Sequence, residues 1–219
     1  QAYQALYVDL ITDWAQASVL PLALRERLNQ ECPLSIAAEV NLDTDRTNSE
    51  KALITFEDQV SVETVLMRHR DGRHTVCLSS QAGCPLGCTF CATGAGGFFR
   101  NLEADEIVQQ FFFWARRLRA EGRGEKIDNV VFMGMGEPFL NYEQFIKAVK
   151  ILNDPEKFNL GSRRISVSTA GIIEGIKKLA AEKLQINLAI SLHAAVDSLR
   201  QQLMPIAKKY PLDSLLKAV

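Results

Sequence analysis

Cys84, Cys88 and Cys91 stand in the segment Cys84-Pro85-Leu86-Gly87-Cys88-Thr89-Phe90-Cys91, spaced C-x3-C-x2-C. Three thiolates this close in sequence can wrap one face of an iron–sulfur cubane. Three protein ligands leave one iron of a [4Fe–4S] cluster open to an outside ligand. The amino and carboxylate groups of S-adenosylmethionine (SAM) can chelate that iron, and an electron from the cluster then breaks a carbon–sulfur bond. Phe90 can shield such a cluster, and Gly94, Gly96 and Gly97 let the backbone turn tightly behind it. Zinc usually takes four ligands in paired C-x2-C or Cys/His clusters. Cys77 is a fourth thiol but falls on an expected strand, and His69, His74 and His193 have no zinc-finger spacing with the cysteines. The pattern favours a cluster with an open iron over zinc or buried structural cysteines.

Further candidates sit where other strands are expected to end. Gly134-Met135-Gly136-Glu137-Pro138 offers a turn with a carboxylate that can meet the SAM ammonium. Ser168 and Thr169 precede Gly171, where their hydroxyls can reach a ribose or cap the next helix. Ser191 and His193 close a fourth strand. In βα folds the active site gathers at the carboxyl ends of the strands, so these groups would share one cavity.

The elements that must position them are legible as alternation. From His74 onward, apolar strands at Thr75–Ser79, 130–133, 165–167 and 186–192 alternate with helical stripes. The first stripe is Ile107, Val108, Phe111, Phe112, Ala115 and Leu118, with Asn101 as its expected N-cap. Helices are also expected over 142–152 and 172–179, with a last one near Pro211. Continuous apolar strands separated by helices imply a parallel sheet, either open or part of a (β/α) barrel. Residues 1–45 read as short helices, with Tyr3, Leu6, Leu10 and Trp14 at helical spacing and Pro21 starting a second helix. Residues 46–73 read as a β-meander with turns at Glu57-Asp58-Gln59 and Asp71-Gly72. The expected domains are therefore 1–45, 46–73 and an α/β core over 74–219.

The 219 residues are 47% hydrophobic and 23% charged, an ordinary globular composition with a net charge of −1. That balance gives no reason of its own to expect nucleic acid. Local runs at Arg116, Arg117, Arg119 and Arg123, and at Arg163 and Arg164, read as solvated faces. No stretch approaches the ~20 apolar residues of a membrane span. Five cysteines, an odd number without secretory features, suit a reducing compartment and metal or reactive thiols.

Taken in order, Cys77-Leu78-Ser79-Ser80-Gln81-Ala82-Gly83-Cys84, the cysteine motif, Arg100-Asn101-Leu102, Met133-Gly134-Met135-Gly136-Glu137-Pro138, Ser166-Val167-Ser168-Thr169 and Ser191-Leu192-His193 closely resemble the RlmN/Cfr family of radical SAM RNA adenosine methyltransferases. The resemblance implies a partial (β/α) barrel of radical SAM type, here truncated after about four βα units. It implies that Cys84, Cys88 and Cys91 ligate a [4Fe–4S] cluster and that Gly136, Glu137, Ser168, Ser191 and His193 contact SAM. It implies that Cys77 resolves a protein–RNA adduct and that Glu63 accepts a proton. The family methylates a C-terminal cysteine with one SAM and makes a 5′-deoxyadenosyl radical from a second, which activates that methyl group for transfer to an adenine carbon. Implied partners are ribosomal RNA, tRNA and a reductase or flavodoxin-type electron donor, in a bacterial cytoplasm. Residues 1–45 resemble the family's RNA-binding accessory domain.

One departure is expected to matter. The chain ends at Val219 without the family's remaining strands and methyl-carrying cysteine, so these residues alone are expected not to complete a turnover. Gln1 in place of Met makes an incomplete N-terminus a further expectation. The leading expectation is C2 methylation of adenine in 23S rRNA and tRNA. The alternatives are C8 methylation conferring antibiotic resistance, a radical SAM enzyme acting on a small molecule, and a zinc-stabilised RNA-binding module without catalysis.

Overall fold

The structure, a computed structural model, describes residues 1–43, 48–122 and 125–219. The chain opens with a helical turn at Gln4–Val8, a 3-10 turn at Trp14–Gln16 and helix α1 (Leu22–Glu31). The helical spacing of Tyr3, Leu6, Leu10 and Trp14 is not realised as one helix. Helical geometry stops at Val8, and Leu10 takes a φ of 51°. Asp13 fixes the turn that replaces it. Its carboxylate accepts the Ala15 N–H at 2.6 Å and the Asn29 amide at 2.9 Å, capping the turn and tying it to α1. Ala5, Ile11, Trp14, Ala17 and Leu20 close over it as a small core of their own.

Four antiparallel strands follow: β1 (Ala37–Asp43), β2 (Ser49–Thr55), β3 (Ser61–Arg68) and β4 (His74–Cys77). β1 corrects the expectation that residues 1–45 are helical throughout. Ala37-Ala38-Glu39 has little strand character of its own. Pairing of Ala37 with Thr55 and Ala38 with Ile54 imposes it, because strand propensity yields to cross-strand context. The boundary expected at 45/46 lies outside the described residues. Alternation in β2 and β3 sends Ala52, Ile54, Val62 and Leu66 to a fully buried face.

After β4 the chain forms the hairpin strand β5 (Gln81–Gly83), short helix α2 (Ala92–Ala95) and the returning strand β6 (Phe98–Asn101). Then come α3 (Ala104–Ala120), β7 (Asn129–Phe132), α4 (Tyr142–Asn153), β8 (Ile165–Thr169), α5 (Ile173–Ala181), β9 (Asn187–Ile190), α6 (Asp197–Leu203) and α7 (Leu212–Leu216). Strand β7 pairs in parallel with β4, β8 with β7 and β9 with β8. One open sheet therefore runs β1-β2-β3-β4-β7-β8-β9. This is the α/β architecture expected, with four parallel strands and helical crossovers. The meander continues the same sheet through β4. The N-cap of α3 is Glu103, in a capping box with Glu106, whereas Asn101 sits in β6 opposite Gln81.

Helices α3, α4 and α5 pack on one face of the sheet. Trp114 of α3 is 0% exposed and donates Nε1–H to Thr64 Oγ1 at 3.1 Å. Phe145 of α4 meets Phe132 of β7 edge-on, centroids 4.8 Å apart. Glu63, Val65, Cys77, Val131, Ser166 and Ser168 lie on the opposite face, in register across β3, β4, β7 and β8. All six are half-buried or exposed.

Candidate functional site

The loops that leave β4 and β7 are tied together by side chains acting on backbone. Gln110 of α3, fully buried, accepts the Ser79 N–H at 2.8 Å and donates to Ser79 O at 2.9 Å. Ser79 Oγ donates to Glu63 O at 2.6 Å and accepts the Met135 N–H at 2.8 Å, bridging β3 to the turn after β7. Gln81 accepts the Glu137 N–H and donates to Asn101 Oδ1, both at 2.8 Å. Asn141 Nδ2 donates to Ser80 O and Leu102 O. Gly136 fits this seam because it has a φ of 96° and because a Cβ there would lie 2.5 Å from Gln81 Cβ.

The cysteine loop hangs from the same end of the sheet. Cys84, Cys88 and Cys91 form no disulfide and are partly exposed. Cys84 N–H bonds to Gly97 O at 2.9 Å, and Cys91 caps α2, its Sγ accepting the Gly94 N–H at 3.4 Å. Burial pushes the Cys84 and Cys88 thiols up. Cys91 and Glu137 add to the rise at Cys84, and Cys84, Cys91 and Glu137 add to it at Cys88. Three thiols gathered on one short loop favour a cationic guest. Among the described residues, no three His, Cys, Asp or Glu side chains converge tightly enough for a single metal ion. A cubane suits the loop better, since its three thiolates bind three different irons and stand apart across a face.

Beside this loop the strand ends bring some candidates together. Ser168 Oγ and Ser191 Oγ are 2.8 Å apart on adjacent strand ends. His193 takes a φ of 57° and packs its ring against Phe90, centroids 4.3 Å apart, so the loop aromatic touches the end of β9. Glu137 is 3% exposed. Its oxygens accept the Phe139 N–H at 3.1 Å and the Ala170 N–H at 2.7 Å, with the Thr169 hydroxyl as a further donor. An ammonium ligand would have to use the remaining acceptor position of this carboxylate or replace one of these bonds. Burial pushes this carboxyl up, against the pull of those three donors.

Cys77 and Glu63 lie on the open face but do not touch as a pair. Cys77 stands opposite Val65, and Glu63 is two residues from Val65 on the same side. Burial pushes the Cys77 thiol up to about 11, although it accepts the Met133 N–H. Glu63 pairs with Lys51 at 2.8 Å, both about half exposed.

The basic run is not the solvated face its composition suggests. Arg116 donates to Leu34 O at 2.8 Å and to Ile11 O, and Arg119 donates to Val8 O at 2.6 Å. Both thereby hold the N-terminal segment. Arg117 pairs with Glu50, and Arg123 lies outside the described residues. Two concavities of about 650 and 750 Å³ border this junction and the β2–β3 turn, and none of the candidate residues lines them. Gln110, Asn141 and Arg200 are buried polar residues around the strand ends of the candidate site that the sequence did not single out. For Gln110 there was a signal, an amide between Val108 and Phe111 in an apolar stripe.

Comparison with known proteins is consistent along the chain. Residues 78–219 match the family model described as the Radical SAM superfamily. The whole chain aligns at 45% identity with 63% of the "Probable dual-specificity RNA methyltransferase RlmN" of Syntrophomonas wolfei. It aligns at 50% identity with 58% of the protein of that name from Chloroflexus aurantiacus. A crystal structure of a radical SAM methyltransferase from Sphaerobacter thermophilus superposes on 99% of the chain with a TM-score of 0.93 at 43% identity, the match covering 63% of that protein. The chain thus spans about three-fifths of the length of these relatives.

Proposed function

The chain belongs to the radical SAM superfamily, and from that premise we propose that its protein methylates the C2 carbon of adenine in 23S rRNA and in tRNA. The observation that carries this reading is the loop of three unpaired thiols set beside the polar ends of β7, β8 and β9. The RlmN-named relatives, RNA methyltransferases by name, supply the substrate class. Among the described residues no helix is long and apolar enough to cross a membrane. From the bacterial RlmN-named relatives we assign the protein to a cytoplasm, with a reductase or flavodoxin-type electron donor. Residues 1–45 would face RNA, 46–73 extend the sheet, and 74–219 form the radical SAM core.

In this proposal Cys84, Cys88 and Cys91 hold a [4Fe–4S] cluster. Gly136, Glu137, Ser168, Ser191 and His193 border the SAM site. When bound, cluster and cofactor supply reductive cleavage of a carbon–sulfur bond, the radical source that an unreactive adenine carbon requires. The paired hydroxyls of Ser168 and Ser191 are spaced to hold a ribose. Glu137 keeps its carboxylate on Phe139 and Ala170, so its contribution is to lock Gly136 against the end of β8. Phe90 and His193 screen the loop with their packed rings. Cys77 helps resolve the protein–RNA adduct, and Glu63 takes up a proton on the same face.

The test uses the full-length protein, reconstituted anaerobically and reduced, with EPR spectra recorded with and without SAM. RNA treated with it is then digested and its adenosines analysed by mass spectrometry. A SAM-perturbed cluster signal together with 2-methyladenosine is the expected result. 8-Methyladenosine would move the assignment to the C8 position. Zinc without iron or sulfide, or a cluster indifferent to SAM, would sink it.

A further inference from the structure

Arg200 of α6 is 0% exposed. Its guanidinium bonds go to main-chain carbonyls: Nε to Leu192 O at 3.3 Å, Nη1 to Tyr210 O at 3.2 Å and Nη2 to Ala170 O at 2.7 Å. It therefore reaches the ends of both β8 and β9. Asp197, one turn earlier, acts on it through space while its own Oδ1 accepts the Leu212 N–H at 2.9 Å. A guanidinium stays charged in a protein interior. A buried charge without an adjacent counter-charge is costly, and carbonyl dipoles offset only part of that cost.

A second anion has an obvious location. Leu86 and Cys88 pack on Ala170, Met204 and Ala207. The Thr89 N–H, inside the cysteine motif, bonds to Leu203 O at the end of α6 at 2.9 Å. The helix that carries Arg200 is thus the floor beneath the cysteine loop. Glu137 meets the same Ala170 from the β7 side, accepting its N–H at 2.7 Å.

We propose that Arg200 is a positioning residue whose buried positive charge is the counter-ion of the centre assembled on Cys84, Cys88 and Cys91, raising its reduction potential. The inference rests on the cluster assignment above. A cubane held by three thiolates is anionic and gains one more negative charge on reduction, so a fixed cation nearby favours the reduced form. The electron comes from the external donor, and Arg200 exchanges neither electron nor proton.

The experiment is a redox titration followed by EPR on full-length, cluster-loaded protein: wild type, Arg200→Gln, Arg200→Lys and Asp197→Asn. Arg200→Gln should lower the midpoint potential. Arg200→Lys should keep it near the wild-type value although it loses the three-carbonyl fork. Asp197→Asn, which retains its acceptor for Leu212, should raise it. A merely structural role would weaken the Gln and Lys variants alike and leave the midpoint unmoved, so equal midpoints in all loaded proteins overturn the proposal. If Arg200→Gln does not fold, Arg200→Met, a neutral side chain of similar reach that needs no polar partner, replaces it with the same expected fall in midpoint. If the wild type takes up no iron and sulfide, the cluster assignment itself has failed and the counter-ion role falls with it.

Discussion

Burial sets what the thiols of this chain can do before any cofactor arrives. Cys77, on the open face of β4, has its thiol pushed up to about 11 by desolvation. Reactive cysteines act as thiolates, so Cys77 should be quiet near neutrality until a substrate or cofactor changes its surroundings. Iodoacetamide labelling of metal-free protein, followed by peptide mass spectrometry, should show its rate rising roughly tenfold per pH unit toward pH 11. A plateau below pH 9 would show that burial does not govern this thiol. The cysteine spacing was legible in the sequence because ligands on one loop must be close in sequence. Arg200 was not, since nothing in Asp197-Ser198-Leu199-Arg200 distinguishes a buried guanidinium from a surface one. Its partners come from the ends of β8 and β9 and from Tyr210.

Elements carry two further expectations. The β5–β6 hairpin brackets the cysteine loop, and Gly83 has a φ of 74° with an added Cβ only 2.0 Å from Gly97 O. Gly83→Ala should destabilise by at least ~1 kcal/mol, from strained backbone and a collision with main chain. Urea unfolding measures the loss, and iron uptake should fall with it. An unchanged urea midpoint would mean that the hairpin shifts freely. The second expectation concerns α3. Arg116 and Arg119 bond the N-terminal segment through its carbonyls, and Tyr7 adds ring contacts to Phe112 and Phe158. Replacing both arginines by Ala removes charged donors worth about 1.5–3 kcal/mol each. Limited proteolysis should then release the segment faster while the sheet keeps its unfolding midpoint. Wild-type cleavage rates would assign the docking to the aromatic contacts. Strands β2, β3, β7 and β8 and helices α3 and α4 were legible because their apolar periodicity matches a buried face. β1 was not, because its neighbours confer its strand character, and the short polar helix α6 has no stripe to read.

At the scale of the whole molecule, two buried carboxylates pull stability in opposite directions with pH. Burial alone would push Glu50 up, but hydrogen bonds and charge from Arg68 and Arg117 outweigh it and hold the carboxyl below its ordinary value. Its contribution is present above the ordinary glutamate range and is lost as pH falls through the depressed value. Glu137 is shifted upward, so its contribution is complete below the ordinary range and fades as pH rises through the raised value. Glu50→Gln should therefore flatten the acid side of a stability–pH curve measured by urea midpoints. An acid limb as steep as the wild type's would show that other carboxylates dominate it.

The continuity of the meander with the parallel strands also has a kinetic meaning. β1 to β4 are joined by short connections, whereas Thr75 of β4 must wait for Asn129 of β7. Local pairings form faster than distant ones because less chain must be closed. During synthesis the N-terminal strands can assemble as a template, and each later βα unit adds one strand to its growing edge. Substitutions such as Ile54→Val in β2 should then slow refolding, and Ile190→Val in β9 should mainly speed unfolding, as stopped-flow chevrons would record.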